Sequence, residues 1–185
     1  ARAQAMLDHL IAYLRATLGA SRASEHALQT EFERVRDYLA LMAVRMGPRL
    51  QYTLDLPPDL ASHPVPTLLL QPLVENSIRH GLEPKVEGGS VKVSARREGD
   101  WLTLEVSDTG VGIQAGMDGT RAAPTTAGGF GVAQVRERLA TAYGKQCTIE
   151  FIAPSGGGTR ATLRFPYKNP ATPPVRADAP QNALP

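Results

Sequence analysis

The chain has 185 residues, 42% of them hydrophobic, with 20 Lys and Arg against 18 Asp and Glu. That length and content can bury one core with a helical appendage, and the nearly balanced charge, with neither a basic cluster nor many aromatics, excludes a nucleic-acid footprint. The single cysteine, Cys147, excludes an internal disulfide and a thiolate zinc site and reads as a small hydrophobe, and no apolar run approaches the ~18 residues of a membrane span.

The chain opens without Met and already inside a helical pattern, with no signal-peptide character, which suggests a fragment of a longer protein. Leu7, Ile11, Leu14 and Leu18 fall on one helical face, and the pattern breaks at Gly19-Ala20-Ser21. Ser24 is a candidate cap for a second helix, whose stripe of Leu28, Phe32, Val35, Leu39, Met42 and Met46 ends at Gly47-Pro48. That stripe fits two uses equally, covering the chain's own core or forming a dimer seam. Residues 49–56 alternate as a strand, and Pro57, Pro58, Pro64 and Pro66 mark a rigid loop. Residues 67–79 carry Leu68, Leu69, Leu70, Leu73, Val74 and Ile78 and read as a buried helix, with Pro72 near its start, where a proline costs least.

Val91, Val93 and Ala95 alternate with polar residues, as do Leu102, Leu104 and Val106 after a turn at Glu98-Gly99-Asp100, which predicts a hairpin. Residues 113–131, rich in Gly, Ala and Thr, lack any apolar period and read as a functional lid or a disordered stretch. Val132, Val135, Leu139 and Ala142 give a helical face up to Gly144. Two strands follow, at 148–152 and 159–165, joined by Pro154-Ser155-Gly156-Gly157-Gly158. From Tyr167 on, proline, alanine and polar residues predict a disordered tail. The order predicts an α+β fold, a two-layer sandwich with a mixed, largely antiparallel sheet and helices on one face.

Four short segments carry chemistry. Asp108, at the end of a strand and followed by Gly110 and Gly112, can accept a proton from adenine's exocyclic amine where guanine would present an opposing carbonyl; an ordinary strand-ending turn is the plain alternative. Asn76, beside Glu75 in an otherwise apolar helix, could hold a magnesium ion carrying phosphates, with Arg79 and His80 one turn on; hydrogen bonding at a helix end is the competing reading. Gly128-Gly129-Phe130-Gly131 precedes a helix whose bare amides could meet an anion. Gly156-Gly157-Gly158-Thr159 fits a hairpin turn. Neither a dinucleotide fingerprint nor a Walker sequence is present, and the four histidines show no metal-ligand spacing.

Taken together, Glu75-Asn76-Ser77-Ile78-Arg79-His80-Gly81, Asp108-Thr109-Gly110-Val111-Gly112, Gly129-Phe130-Gly131 and Gly158-Thr159 resemble the asparagine box, the two glycine boxes and the closing Gly-Thr pair of the GHKL (Bergerat) ATPases. Within that superfamily, Leu70-Gln71-Pro72-Leu73-Val74-Glu75-Asn76, the helix Glu31-Phe32-Glu33-Arg34-Val35-Arg36-Asp37-Tyr38-Leu39 and Val135-Arg136-Glu137-Arg138-Leu139 resemble the LytS/YehU-type sensor histidine kinases. The resemblance implies a division into the end of the dimerisation and phosphotransfer helices (1–47), an ATP-binding catalytic domain (48–166) and the tail (167–185). It implies ATP and magnesium as cofactors, with Asn76 on the metal and Asp108 on adenine, aided by Thr159 through a water. Gly110, Gly112, Gly129 and Gly131 would shape the ring and phosphate contacts, Arg79 and His80 would lie near the phosphates, and Glu75 would take the acceptor's proton. A response-regulator receiver domain and a homodimeric parent follow as partners, without nucleic acid. The domain would be cytoplasmic, with membrane contact only through other segments of an inner-membrane sensor.

Two departures stand out. Gln134 replaces the asparagine usual after the second glycine box, and no histidine has the family's acceptor setting, His9 lying in Leu-Asp-His-Leu-Ile. The acceptor histidine is therefore expected upstream of Ala1, and this chain alone is not expected to phosphorylate itself. An ATPase or ATP-gated clamp on the same scaffold, and an interaction module that no longer binds nucleotide, are the competing functions.

Overall fold

The computed structural model describes residues 25–112 and 130–167. In chain order these form β1 (Glu25–Ala27), α1 (Leu28–Met46), β2 (Leu50–Asp55), β3 (Pro64–Pro66), α2 (Gln71–Asn76), β4 (Gly89–Glu98), β5 (Trp101–Asp108), α3 (Phe130–Tyr143), β6 (Thr148–Ile152) and β7 (Thr159–Pro166). The main sheet has the order β2-β4-β5-β7-β6, parallel only between β2 and β4. Its period-two pattern puts one side of each strand inward. Ala95, Leu104 and Leu163 lie in one cross-strand row and Val93, Val106 and Ala161 in the next, all buried. Lys92, Glu105 and Arg164 alternate with them on the opposite face. The predicted two-layer sandwich with a largely antiparallel sheet is the observed fold.

The stripe on α1 covers the chain's own core. Leu28, Phe32, Val35, Leu39 and Met46 join the sheet residues in one buried cluster, and each large side chain so removed from water contributes about 1.5–3 kcal/mol. The helix starts at Leu28, later than a cap at Ser24 implies, and Ser24 itself lies outside the described residues. Ala27 provides no side-chain cap; instead the Leu28 and Gln29 N–H groups donate to the His63 and Ala61 carbonyls, both at 2.8 Å. A short β1–β3 ribbon holds that loop in place, and the alternation of the sequence gave no sign of it. Gly47, at φ 60°, closes the helix by donating to the Ala43 carbonyl.

The helix expected over 67–79 is shifted. Residues 67–70 turn through a bend in which Leu68 takes φ 60°, so α2 begins at Gln71, with Pro72 in its first turn, where no helical N–H is lost. Beyond Asn76 the helix widens into a π-type turn over Ser77–Leu82, closed by the Glu83 N–H donating to the Ile78 carbonyl at 2.9 Å. At the other end of the chain, Tyr167 belongs to the fold rather than to a loose tail. Its N–H donates to the Asp100 carbonyl at 2.8 Å, its ring stacks on buried His63 at 4.3 Å, and the Arg97 guanidinium covers it at 3.9 Å. The rest of the tail, the helical face expected from Leu7 to Leu18 and most of the expected lid lie outside the described residues.

Candidate functional site

Asp108 ends β5, where the inward register of that strand forces its carboxylate below the surface, 4% exposed. Its two oxygens are treated differently. Oδ1 accepts the Gly110 N–H at 2.9 Å and the Thr159 N–H at 3.2 Å. Oδ2 is buried and has no hydrogen-bond partner among the described residues. Burial pushes the Asp108 carboxyl above its ordinary range, against the opposing pull of the Gly110 amide, the Ser77 side chain, the Thr159 amide and the Lys85 charge. A buried bare acceptor beside a saturated one is costly unless a donor fills it, and an exocyclic amine is such a donor.

The glycines act on this carboxylate through packing. A Cβ on Gly110 would strike the Gly81 backbone, and the Val111 N–H donates to the Gly81 carbonyl at 3.0 Å, so the strand end and the π-type turn lie backbone to backbone. Gly158, at φ 81°, passes equally close to the Asp108 carbonyl. Gly81 itself faces the carboxylate: a Cβ there would come 2.9 Å from Oδ1. Sequence reasoning gave Gly81 and Ser77 no role, although both stand inside the motif it singled out; a glycine closing an asparagine-bearing helix was the available signal.

Asn76 lies one residue before Ser77 on the same segment. With Pro72, Glu75, Arg79, His80, Gly131 and Val132 it lines a cavity of about 220 Å³ between α2 and the start of α3. Gly131 permits that approach, since a Cβ there would press on the Pro72 ring at 3.2 Å. Glu75 is held by Gln71, whose Nε2 donates to Oε1 at 2.8 Å across one helical turn. Arg79 and His80 are exposed on the π-type turn.

The structure thus groups Glu75, Asn76, Arg79, His80 and Gly131 at one cavity. Asp108, Gly110, Gly112 and Thr159 group at the adjoining ends of β5 and β7, and the segment from Asn76 to Gly81 touches both groups. Asp108 does not itself line the cavity, Gln134 sits half-buried on α3 away from its lining, and Gly129 lies outside the described residues. Among the described residues no group of three or more His, Cys, Asp or Glu side chains could hold a metal. A cation here would rest on an amide oxygen, water and phosphates, a donor set that suits magnesium.

Residues 65–169 match the model of the histidine kinase-, DNA gyrase B- and HSP90-like ATPases, and residues 1–50 match a histidine kinase model. The chain is 34% identical over 171 residues to the sensor histidine kinase BtsS of Escherichia coli, covering 92% of this chain and 29% of that protein. It is 30% identical over 142 residues to the sensor histidine kinase YesM of Bacillus subtilis, covering 77% of this chain and 24% of that protein. It therefore spans less than a third of the length of the curated relatives it matches. Among solved structures, the Acinetobacter baumannii histidine kinase AdeS superposes with a TM-score of 0.55 at 21% identity, over 88% of this chain and 79% of that one, a likeness of fold. Among the described residues no helix is long and apolar enough to cross a membrane.

Proposed function

Because the chain belongs to the histidine kinase-, DNA gyrase B- and HSP90-like ATPase family, we propose that it is the catalytic domain of a two-component sensor kinase that moves the γ-phosphoryl of Mg-ATP to a histidine on another segment of the parent protein. The observation that supports this most is the divided environment of Asp108: one oxygen saturated by backbone, the other buried and bare, beside the segment that carries Asn76.

In this reading Asp108 Oδ2 accepts from the adenine amine and rejects guanine, whose carbonyl would face it acceptor to acceptor. Thr159 holds the carboxylate in register through its N–H and adds a water-borne contact to the ring. Gly110 and Gly112 keep the backbone close to the base. Asn76 would hold magnesium, which would screen phosphate charge. Arg79, His80 and the Gly131 amide at the start of α3 face the phosphates. As the acceptor imidazole's lone pair forms the N–P bond, the bond to the β–γ bridging oxygen breaks and ADP leaves. Glu75, kept in place by Gln71, takes the imidazole N–H proton. Positioning and charge neutralisation supply most of the acceleration. The phosphoryl group then passes to an aspartate of a response-regulator receiver domain, in a homodimeric parent that senses at the inner membrane.

Titration calorimetry with Mg-ATP tests the site. The unmodified chain should bind, and Asn76→Asp and Asp108→Ala should abolish binding. Unchanged titrations in both variants would refute the assignment. Adding back the upstream segment should then yield an acid-labile, base-stable phosphoryl group.

A further inference from the structure

Two segments singled out in the sequence, the stretch from Glu31 to Leu39 on α1 and the stretch from Val135 to Leu139 on α3, converge on residues 67–70. Glu31, 1% exposed on α1, reaches across the core to the bend before α2. Its Oε1 accepts the Leu68 N–H at 2.7 Å and lies 2.7 Å from His26 Nε2; its Oε2 accepts the Leu69 and Leu70 N–H groups, both at 2.8 Å. From the other side, Arg138 on α3 donates to the Thr67 carbonyl at 2.9 Å and to its hydroxyl at 3.0 Å.

This bend is the start of α2, which has no side-chain cap of its own. Leu68 at φ 60° turns successive amides toward one carboxylate, a conformation that a leucine keeps only when its surroundings hold it. We infer that Glu31 and Arg138 are positioning residues for the phosphate-holding end of the nucleotide site, acting together through residues 67–70. Glu75 and Asn76 follow within two turns of that bend on α2, and Gly131 and Val132 open the helix that carries Arg138. Both walls of the cavity are therefore tied to the same four residues. The adenine end is not: Asp108, Gly110 and Thr159 hang on the sheet and make no hydrogen bond to the clamp. Because the carboxylate belongs to α1, sliding that helix along its axis would withdraw it from three backbone amides and loosen the wall that carries Asn76.

The inference rests on the nucleotide reading above, and the test keeps the two apart. Mg-ATP and adenosine are titrated into the full chain, unmodified and as Glu31→Gln and Arg138→Met, at a temperature where circular dichroism shows each folded. Each variant should weaken Mg-ATP about tenfold, the worth of one well-placed hydrogen bond, and leave adenosine within about twofold. The double variant should lose less than the product of the two, since both act on one segment. Unchanged Mg-ATP affinity in a folded variant overturns the inference, as does a parallel loss for both ligands, which marks general loosening. Arg138→Met decides alone if Glu31→Gln does not fold. Should the unmodified chain bind neither ligand, the nucleotide reading itself fails and takes the inference with it.

Discussion

Replacing Asp108 by Asn alters the proposed adenine contact while sparing the scaffold. The amide oxygen can keep the two backbone donors that Oδ1 now accepts, from Gly110 and Thr159, so β5 and β7 stay in register. The amide nitrogen then takes the place of Oδ2, the buried oxygen with no partner among the described residues. Against adenine it sets a donor against the exocyclic amine. The lost hydrogen bond to a charged acceptor is worth about 1.5–3 kcal/mol, and a donor buried without a partner costs about 1–3 kcal/mol more. Their sum, about 2.5–6 kcal/mol, predicts a loss of Mg-ATP affinity of roughly 60-fold to 20,000-fold. Against guanine the same nitrogen meets a carbonyl oxygen, so the preference for ATP over GTP should shrink or invert. Titration calorimetry with both nucleotides reads the two effects, and thermal melting checks the fold. An Asn variant that keeps its ATP affinity within about threefold, with the discrimination against GTP intact, would refute the reasoning.

The raised Asp108 carboxyl sets a pH dependence with a definite sign. The folded state holds that proton more tightly than the unfolded chain, so this group's contribution to stability grows as pH falls from the raised value toward its ordinary 3.8 and is absent well above it. Mg-ATP affinity should weaken over the same window, because the ionised form accepts from adenine; melting and titration series should show both trends in the unmodified chain and neither from this group in Asp108→Asn. Gly110→Ala drives a methyl into the Gly81 backbone and should cost about 1–3 kcal/mol, a fall in melting temperature of roughly 2–12 °C, together with nucleotide binding. Phe32→Ala should cost about 3–5 kcal/mol in denaturant unfolding, and the loss should appear in the single transition that also unfolds the sheet, because α1 and the strands share one core. Two separated transitions would contradict that.

What the sequence disclosed and what it withheld divide along a physical line. Period-two alternation places an entire strand once one face is known, so β4, β5, β6 and β7 were legible to within about two residues. The apolar stripe of α1 was equally legible, but a stripe states that a face is buried and not against what; only the packed core settles that it covers its own sheet. Residues 67–70 misled because Leu68, Leu69 and Leu70 have helix-forming side chains and continue an apolar run, while the force that bends them comes from Glu31, 37 residues away from Leu68 in sequence. No local pattern encodes a carboxylate arriving from another helix. The site shows the same contrast. Asp108 and Asn76 carried their chemistry in their side chains and could be named in advance. Gly81 acts through the absence of a side chain and Ser77 through a side chain brought to Asp108 from another segment, and neither property has meaning until the backbones meet. The Glu31 clamp is thus the part of this fold least visible in sequence and the one most exposed to movement of α1: a helix whose apolar face only covered a core could slide at the cost of repacking, but one that also satisfies three backbone amides has a register, and displacement from it exposes an ion and three donors at once.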